Sequence, residues 1–156
     1  MSTVSSDASR TTMTEIVLPT HANALGNVFG GQILAWTDIC AAITAQRHCG
    51  LVAVTAGVDD LSFEKPIKVG EVVNLEARVT AVFRSSFEVR VIVRGENPLT
   101  RETWLCVEAY MTFVAIDANG KPSTVPPLAV ITEEERELHR NAEQRRQRRL
   151  SRRRAT

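Results

Sequence analysis

The apolar positions of this chain follow two periods. From Gly30 to Cys49 there is no proline, and no glycine after Gly31. Ile33, Leu34, Trp36, Ile39, Cys40 and Ile43 recur around most of a helical circumference. The run predicts a helix of about 18 residues, buried on most sides. Gly50 supplies a stop, and Arg47 and His48 suit the negative end of the helix dipole. Further on the period drops to two. Val73, Leu75, Ala77 and Val79 alternate with Asn74, Glu76, Arg78 and Thr80, and Phe87, Val89, Val91 and Val93 alternate with Glu88, Arg90 and Arg94. Such alternation predicts half-buried antiparallel strands over 71–83 and 87–95, joined at Arg84-Ser85-Ser86. Residues 52–63 and 103–116 read as two more strands, and 13–18 as a short one stopped by Pro19. A polar helix begins at Thr132, with Glu133, Glu134 and Glu135 in its first turn.

Strand, long helix, then a meander of strands is an α+β order. A single long helix and a single antiparallel sheet of about five strands bury each other when the sheet curls around the helix. Two sheet edges remain, and pairing with a second copy would cover one.

The 156 residues suffice for one domain with a real core. The net charge of +1 averages two unlike parts. Residues 1–139 hold 11 Lys/Arg and 17 Asp/Glu, a net of −6, while residues 140–156 hold 8 Arg and 1 Glu, a net of +7. The expected organisation is a disordered arm over 1–12, a folded domain over 13–131, and a C-terminal helix with an arginine-rich tail over 132–156. The tail has the charge to bind nucleic acid or an anionic surface, but no aromatic for base stacking. A solvated terminus and docking onto the acidic body are the other readings. No apolar run reaches the ~18 residues of a membrane span. The Ser/Thr-rich start has no apolar stretch, so no secretory signal is expected. Cys40, Cys49 and Cys106 lack CxxC spacing, which points away from a disulfide framework or a zinc site and toward a reducing cytosol.

Between Glu15 and Arg47 the only formally charged residue is Asp38. It stands mid-helix among Gly31, Leu34, Ala35, Ala41, Ala42 and Ala45, small neighbours that admit close approach of another backbone or a thin ligand. A carboxylate there needs a partner, and such residues are candidate general bases or nucleophiles as well as simple structural acids. The run Gly26-Asn27-Val28-Phe29-Gly30-Gly31 leads straight into the same helix. Glycines at a helix start leave unpaired N–H groups open to an oxyanion, or merely make a tight turn. The run matches neither GxxxxGK[ST] nor GxGxxG.

These residues resemble a known family. LPTHANALGNVFGGQILAWTDICAAITAQRHC, VTAGVDDLSFEKPIKVGEVV, VFRSSFEV and AYMTFVAIDANGKP, spread over about residues 13–128, look like the hot-dog-fold acyl-CoA thioesterases of the cytosolic acyl-CoA hydrolase type. The resemblance implies a hot-dog fold, in which a sheet wraps round one central helix, as the periodicity suggested. It implies hydrolysis of fatty acyl-CoA to free fatty acid and CoA, with no metal and no cofactor beyond the CoA of the substrate. By match to its motif, Asp38 is the catalytic carboxylate, as base or nucleophile, and Asn27 positions water or substrate. The N–H of Gly30 or Gly31 holds the thioester oxygen, and Arg84, Ser85 and Ser86 meet the CoA. It further suggests trimers of dimers. A non-catalytic acyl-CoA-binding module on the same fold is the alternative.

Helical rise adds a constraint. Gly30 and Asp38 are eight residues apart, about 12 Å along one helix, whereas catalytic groups lie ~3–3.5 Å from the reacting carbon. The oxyanion donor and the carboxylate serving one thioester should therefore come from two chains of a homodimer. His21 and His48 have no GxSxG elbow to serve. Asp59 and Asp60, adjacent on a strand, are expected to point to opposite faces.

Overall fold

The computed structural model describes residues 1–155. Thr156, the end of the expected tail, lies outside the described residues. Strand β1 (Val4–Ser5) and helix α1 (Ser6–Ser9) precede β2 (Thr11–Ile16), and α2 spans Gly30–Cys49. Strands β3 (Val52–Phe63), β4 (Val72–Val82), β5 (Ser86–Glu96) and β6 (Thr103–Ile116) follow, then β7 (Leu128–Ala129) and α3 (Glu133–Ala155). The main sheet is antiparallel, in the order β2-β4-β5-β6-β3.

The long helix ends where its sequence says it should. Gly50 takes a left-handed φ of 69°, and its N–H donates to the Gln46 carbonyl. One face of α2, with Ile33, Trp36, Cys40, Ala41 and Ala45, packs on the inward row Val73, Leu75, Ala77, Val79, Val89 and Val91. Thr44 hydrogen-bonds Thr11 at 2.7 Å, fixing β2 to the helix. The helix is buried on that face only. Leu34 and Ile39 remain exposed, because one sheet covers one side of a cylinder. Strand β3, at the edge of the sheet, likewise exposes Val54, Val58 and Phe63.

The N-terminal arm, expected to be disordered over 1–12, is docked. Val4 pairs in parallel with Leu128, and its N–H donates to the Pro127 carbonyl. Ser5 Oγ caps α1, Asp7 meets Arg78 at 2.6 Å, and Ser6 and Ser9 are buried. The segment has few apolar residues to signal order, and hydrogen bonds hold it instead.

The arginine tail is ordered too. Helix α3 runs unbroken into it and lies on the outer face of the sheet. There Glu88, 0 % exposed, receives a bidentate pair from Arg145 at 2.8 and 2.9 Å and the Thr80 hydroxyl at 2.6 Å. The Arg145 guanidinium also lies 3.6 Å from the Tyr110 ring centroid. Asp59 and Asp60 do not point to opposite faces. The ladder slips between Asp59 and Ser62, Asp60 takes a φ of 47°, and both acids meet α3, Asp59 through Arg149 at 2.6 Å and Asp60 through Arg148 at 3.0 Å. No helix among the described residues is long and apolar enough to cross a membrane.

Candidate active site

The loop into α2 is built by its own polar groups. Asn23 Oδ1 accepts from the N–H of Leu25 at 3.0 Å and of Asn27 at 3.2 Å, and Gly26 turns the chain with a φ of 79°. His21 Nδ1 accepts from the Leu18 N–H, and its ring sits edge-on to Trp36 at 5.0 Å. Two β-bridges, Ala22 to Val28 and Asn27 to Lys68, carry the chain to Phe29, which precedes the helix without a side-chain cap. The N–H groups of Gly30 and Gly31 consequently find no acceptor among the described residues. A Cβ on Gly31 would meet nothing within 4 Å, so the backbone there is approachable from outside.

Two turns of helix further on, Asp38 stands half-buried. Its Oδ1 accepts a 2.7 Å hydrogen bond from the Thr55 hydroxyl on β3. Its other oxygen has no partner among the described residues. The carboxylate is thus fixed on one side and open on the other, next to the exposed Leu34 and Ile39 and the uncovered edge of the sheet. Chemically, such a carboxylate can accept a proton from a water or a substrate that reaches its free oxygen.

Other candidates separate from this centre. The buried thiols of Cys40 and Cys106 are each pushed up to about 11 by desolvation, so neither supplies a thiolate near neutral pH. His48 stacks on Phe87 and holds the Pro126 carbonyl at 2.8 Å, which gives it a structural place. Arg84 and Ser85 lie in the β4–β5 turn, and Ser86 opens β5 opposite Val114. The backbone of the turn is tied down, the Ser85 carbonyl to Ala115 N–H and the Arg84 carbonyl to Val125 N–H, while the Arg84 side chain is exposed. Asn27 enters through its backbone. Its neighbour Asn23 uses the side chain to shape the loop. Thr55 went unforeseen in the sequence, being a single hydroxyl in a β-branched strand, and only the pairing of helix and edge strand gives it meaning.

A thioesterase superfamily model matches residues 25–102. An uncharacterized acyl-CoA thioester hydrolase of Bacillus subtilis, YkhA, is 42% identical over 146 residues, covering 94% of this chain and 85% of the relative. This chain belongs to the thioesterase superfamily, among its acyl-CoA thioester hydrolases. Two solved thioesterases share its fold. A hexameric acyl-CoA thioesterase superposes with a TM-score of 0.94 at 41% identity, with 97% of each chain covered. The acyl-CoA hydrolase of Staphylococcus aureus, solved with butyryl coenzyme A, coenzyme A and coenzyme A disulfide, superposes at 0.90 and 36% identity, covering 97% of this chain and 92% of that one. Structures of that hydrolase also exist with alanine replacing an asparagine, an aspartate and a threonine. The spacing of those three along its chain equals that of Asn23, Asp38 and Thr55 along this thioesterase.

Proposed function

We propose that this thioesterase hydrolyses acyl-CoA at sites shared between two copies of the chain. The observation that carries the reading is the Asp38 carboxylate, held on one oxygen by Thr55 and free on the other, at an open apolar face. In the proposed site the Gly30 and Gly31 N–H groups of one chain hold the thioester oxygen. Asp38 of the partner subunit takes a proton from water, the water oxygen bonds to the carbonyl carbon, and the carbon–sulfur bond breaks. The proton passes to the departing CoA sulfur, leaving the free acid and the thiol. Thr55 orients Asp38. Asn23, on the chain that supplies the glycines and favoured over Asn27 by the spacing it shares with the asparagine of the Staphylococcus aureus enzyme, positions the water or the carbonyl.

The helical separation of Gly30 from Asp38 and the uncovered β3 edge support a dimer, and the hexameric neighbour supports three such dimers. Arg84, with Ser85 and Ser86, is assigned to the CoA phosphates. Its guanidinium is exposed and has no ion pair among the described residues. The scheme calls for no metal and no cofactor apart from the CoA of the substrate. Three unpaired buried cysteines suit a reducing cytosol.

The test is release of free thiol from acyl-CoA. Asp38→Asn should cut turnover by about 10²–10⁴-fold while CoA still binds. Inactive Asp38→Ala and Asn23→Ala chains, mixed and reassembled, should regain part of the activity, because one hybrid site is intact. Inert hybrids would put the whole site in one chain. Tight CoA binding without thiol release by the unaltered protein would make it a binding module.

A further inference from the structure

Beside Gly30 the structure holds a small apolar slot that the chemistry above does not use. It has a volume of about 120 Å³ and is lined by Val28, Gly30, Ile33, Phe63, Pro66 and Cys106, with Glu64 and Lys65 at its mouth. Ile33, Cys106 and Val28 are almost inaccessible core residues and form its closed end. Phe63 forms the rim, its ring carbons 3.7 and 3.8 Å from where a Gly30 Cβ would stand. A chain bound through its carbonyl oxygen at the Gly30 N–H would therefore have this slot as the nearest apolar space for its tail.

We infer that this slot receives the acyl chain and limits the substrate to short acyl groups; the inference rests on the thioesterase reading of the same site. The volume sets the limit. An apolar cavity of roughly 150 Å³ just holds benzene, so 120 Å³ accommodates roughly four or five carbons. With the carbonyl carbon outside, the best substrates carry about five or six carbons.

The walls resist yielding to a longer chain. The Val28 N–H donates to the Ile67 carbonyl at 2.8 Å, the Glu64 N–H to the Cys106 carbonyl at 2.7 Å, and the Lys65 N–H to the Leu105 carbonyl at 3.2 Å. Trp104 Nε1 donates to the Pro66 carbonyl at 3.1 Å. The Trp104 ring lies across Gly95, where any Cβ would collide with it. Hydrogen bonds and packing therefore fix the slot before substrate arrives, and lengthening a chain beyond it displaces core atoms. The Cys106 thiol, kept protonated by burial, behaves there as a small apolar group.

The experiment is a series of straight-chain acyl-CoAs from acetyl to palmitoyl, read as kcat/KM on the full chain. The optimum should fall at hexanoyl, with a loss of about tenfold for each methylene beyond the slot's length. Ile33→Ala deepens the slot and should move the optimum to longer chains. Val28→Leu fills it and should move the optimum to shorter ones. Should Ile33→Ala fold poorly, Val28→Ala gives a smaller deepening with the same expected direction. An optimum at palmitoyl, or an optimum unmoved in folded variants of both kinds, overturns the inference while leaving thioester hydrolysis standing. Failure of the unaltered chain to release thiol from any acyl-CoA overturns both.

Discussion

The two faces of the sheet are covered by two helices of opposite character. On the inner face α2 is apolar, carries Asp38 as the only acid in its length, and is held by packed side chains. On the outer face α3 is dense with arginine and is held by ion pairs to Glu88, Asp59 and Asp60. The inner face is finished on one side only, where it leaves a carboxylate oxygen, an apolar stripe and a strand edge open. The outer face is covered more fully at the arginine end of α3, while beneath its start a cleft of about 600 Å³ remains between Arg78, Arg90, Arg94 and Leu138. The contrast teaches where the chain concentrates its chemistry and where its cohesion. The −6 body and the +7 tail are complementary halves of one fold. The pairs differ in weight, however. Glu88 and Arg145 are buried and fully engaged, whereas Arg148 and Asp60 lie largely in water and contribute at most about 1 kcal/mol.

Substitutions on the two faces should have separable effects. Asp38→Asn should lower kcat about 10²–10⁴-fold, the range for loss of a general base, and leave the denaturant midpoint where it was. Arg145→Ala should do the reverse. It strands the Glu88 carboxylate away from water and should cost about 3–5 kcal/mol of unfolding free energy, with little change in kcat for the folded fraction. The double change Glu88→Leu with Arg145→Leu sharpens the point, since a buried pair replaced by apolar groups is often neutral or stabilising. If Arg145→Ala lowers kcat as far as Asp38→Asn does, the two faces are not independent. A smaller effect belongs to Thr55→Val, which keeps the shape of β3 and removes the hydroxyl on Asp38. It should cost about tenfold in kcat, comparable to one hydrogen bond to a charged group, and serine at the same position should restore most of it. A Thr55→Val enzyme as fast as the unaltered one would leave Asp38 needing no orientation from β3.

Much of the inner face was legible from residues alone. The limits of α2 were readable because no breaker interrupts it and Gly50 can take the left-handed stop. Asp38 was readable because charge is absent around it for many residues on either side. The strands were readable from alternation, which is strict wherever one face is buried. The outer face was not. Glu88 alternates as a solvent-facing residue should, and only α3, arriving from 57 residues away, buries it. The grip on Asp59 and Asp60 depends on a ladder slip and a positive φ that no local pattern announces. Choosing between Asn23 and Asn27 fails for a similar reason. Both lie in one polar turn, and which side chain shapes it is decided by hydrogen bonds across four residues.

The smallest expected effect lies where the two faces are joined. His48, in the last turn of α2, reaches Pro126 in the segment that leads on to α3. Its ring is buried against Phe87, with Nε2 2.8 Å from the Pro126 carbonyl, so that nitrogen donates its proton. Nδ1 has no partner among the described residues and would need to carry a second proton in the charged form. Burial holds the pKa of His48 below its ordinary value, and the bond to Pro126 only partly opposes this. The unfolded chain therefore binds the extra proton more readily than the native one. The contribution of His48 to stability is complete above the unfolded value of about 6.5 and is lost as pH falls from there toward the lower native value. Denaturant midpoints should be level just above neutrality and decline through this window, ahead of the carboxylate-driven loss at lower pH. In His48→Gln, which retains an N–H donor for Pro126 but does not titrate, that first decline should flatten. An unchanged decline would assign it to other groups and leave the junction between the two faces insensitive to mild acid.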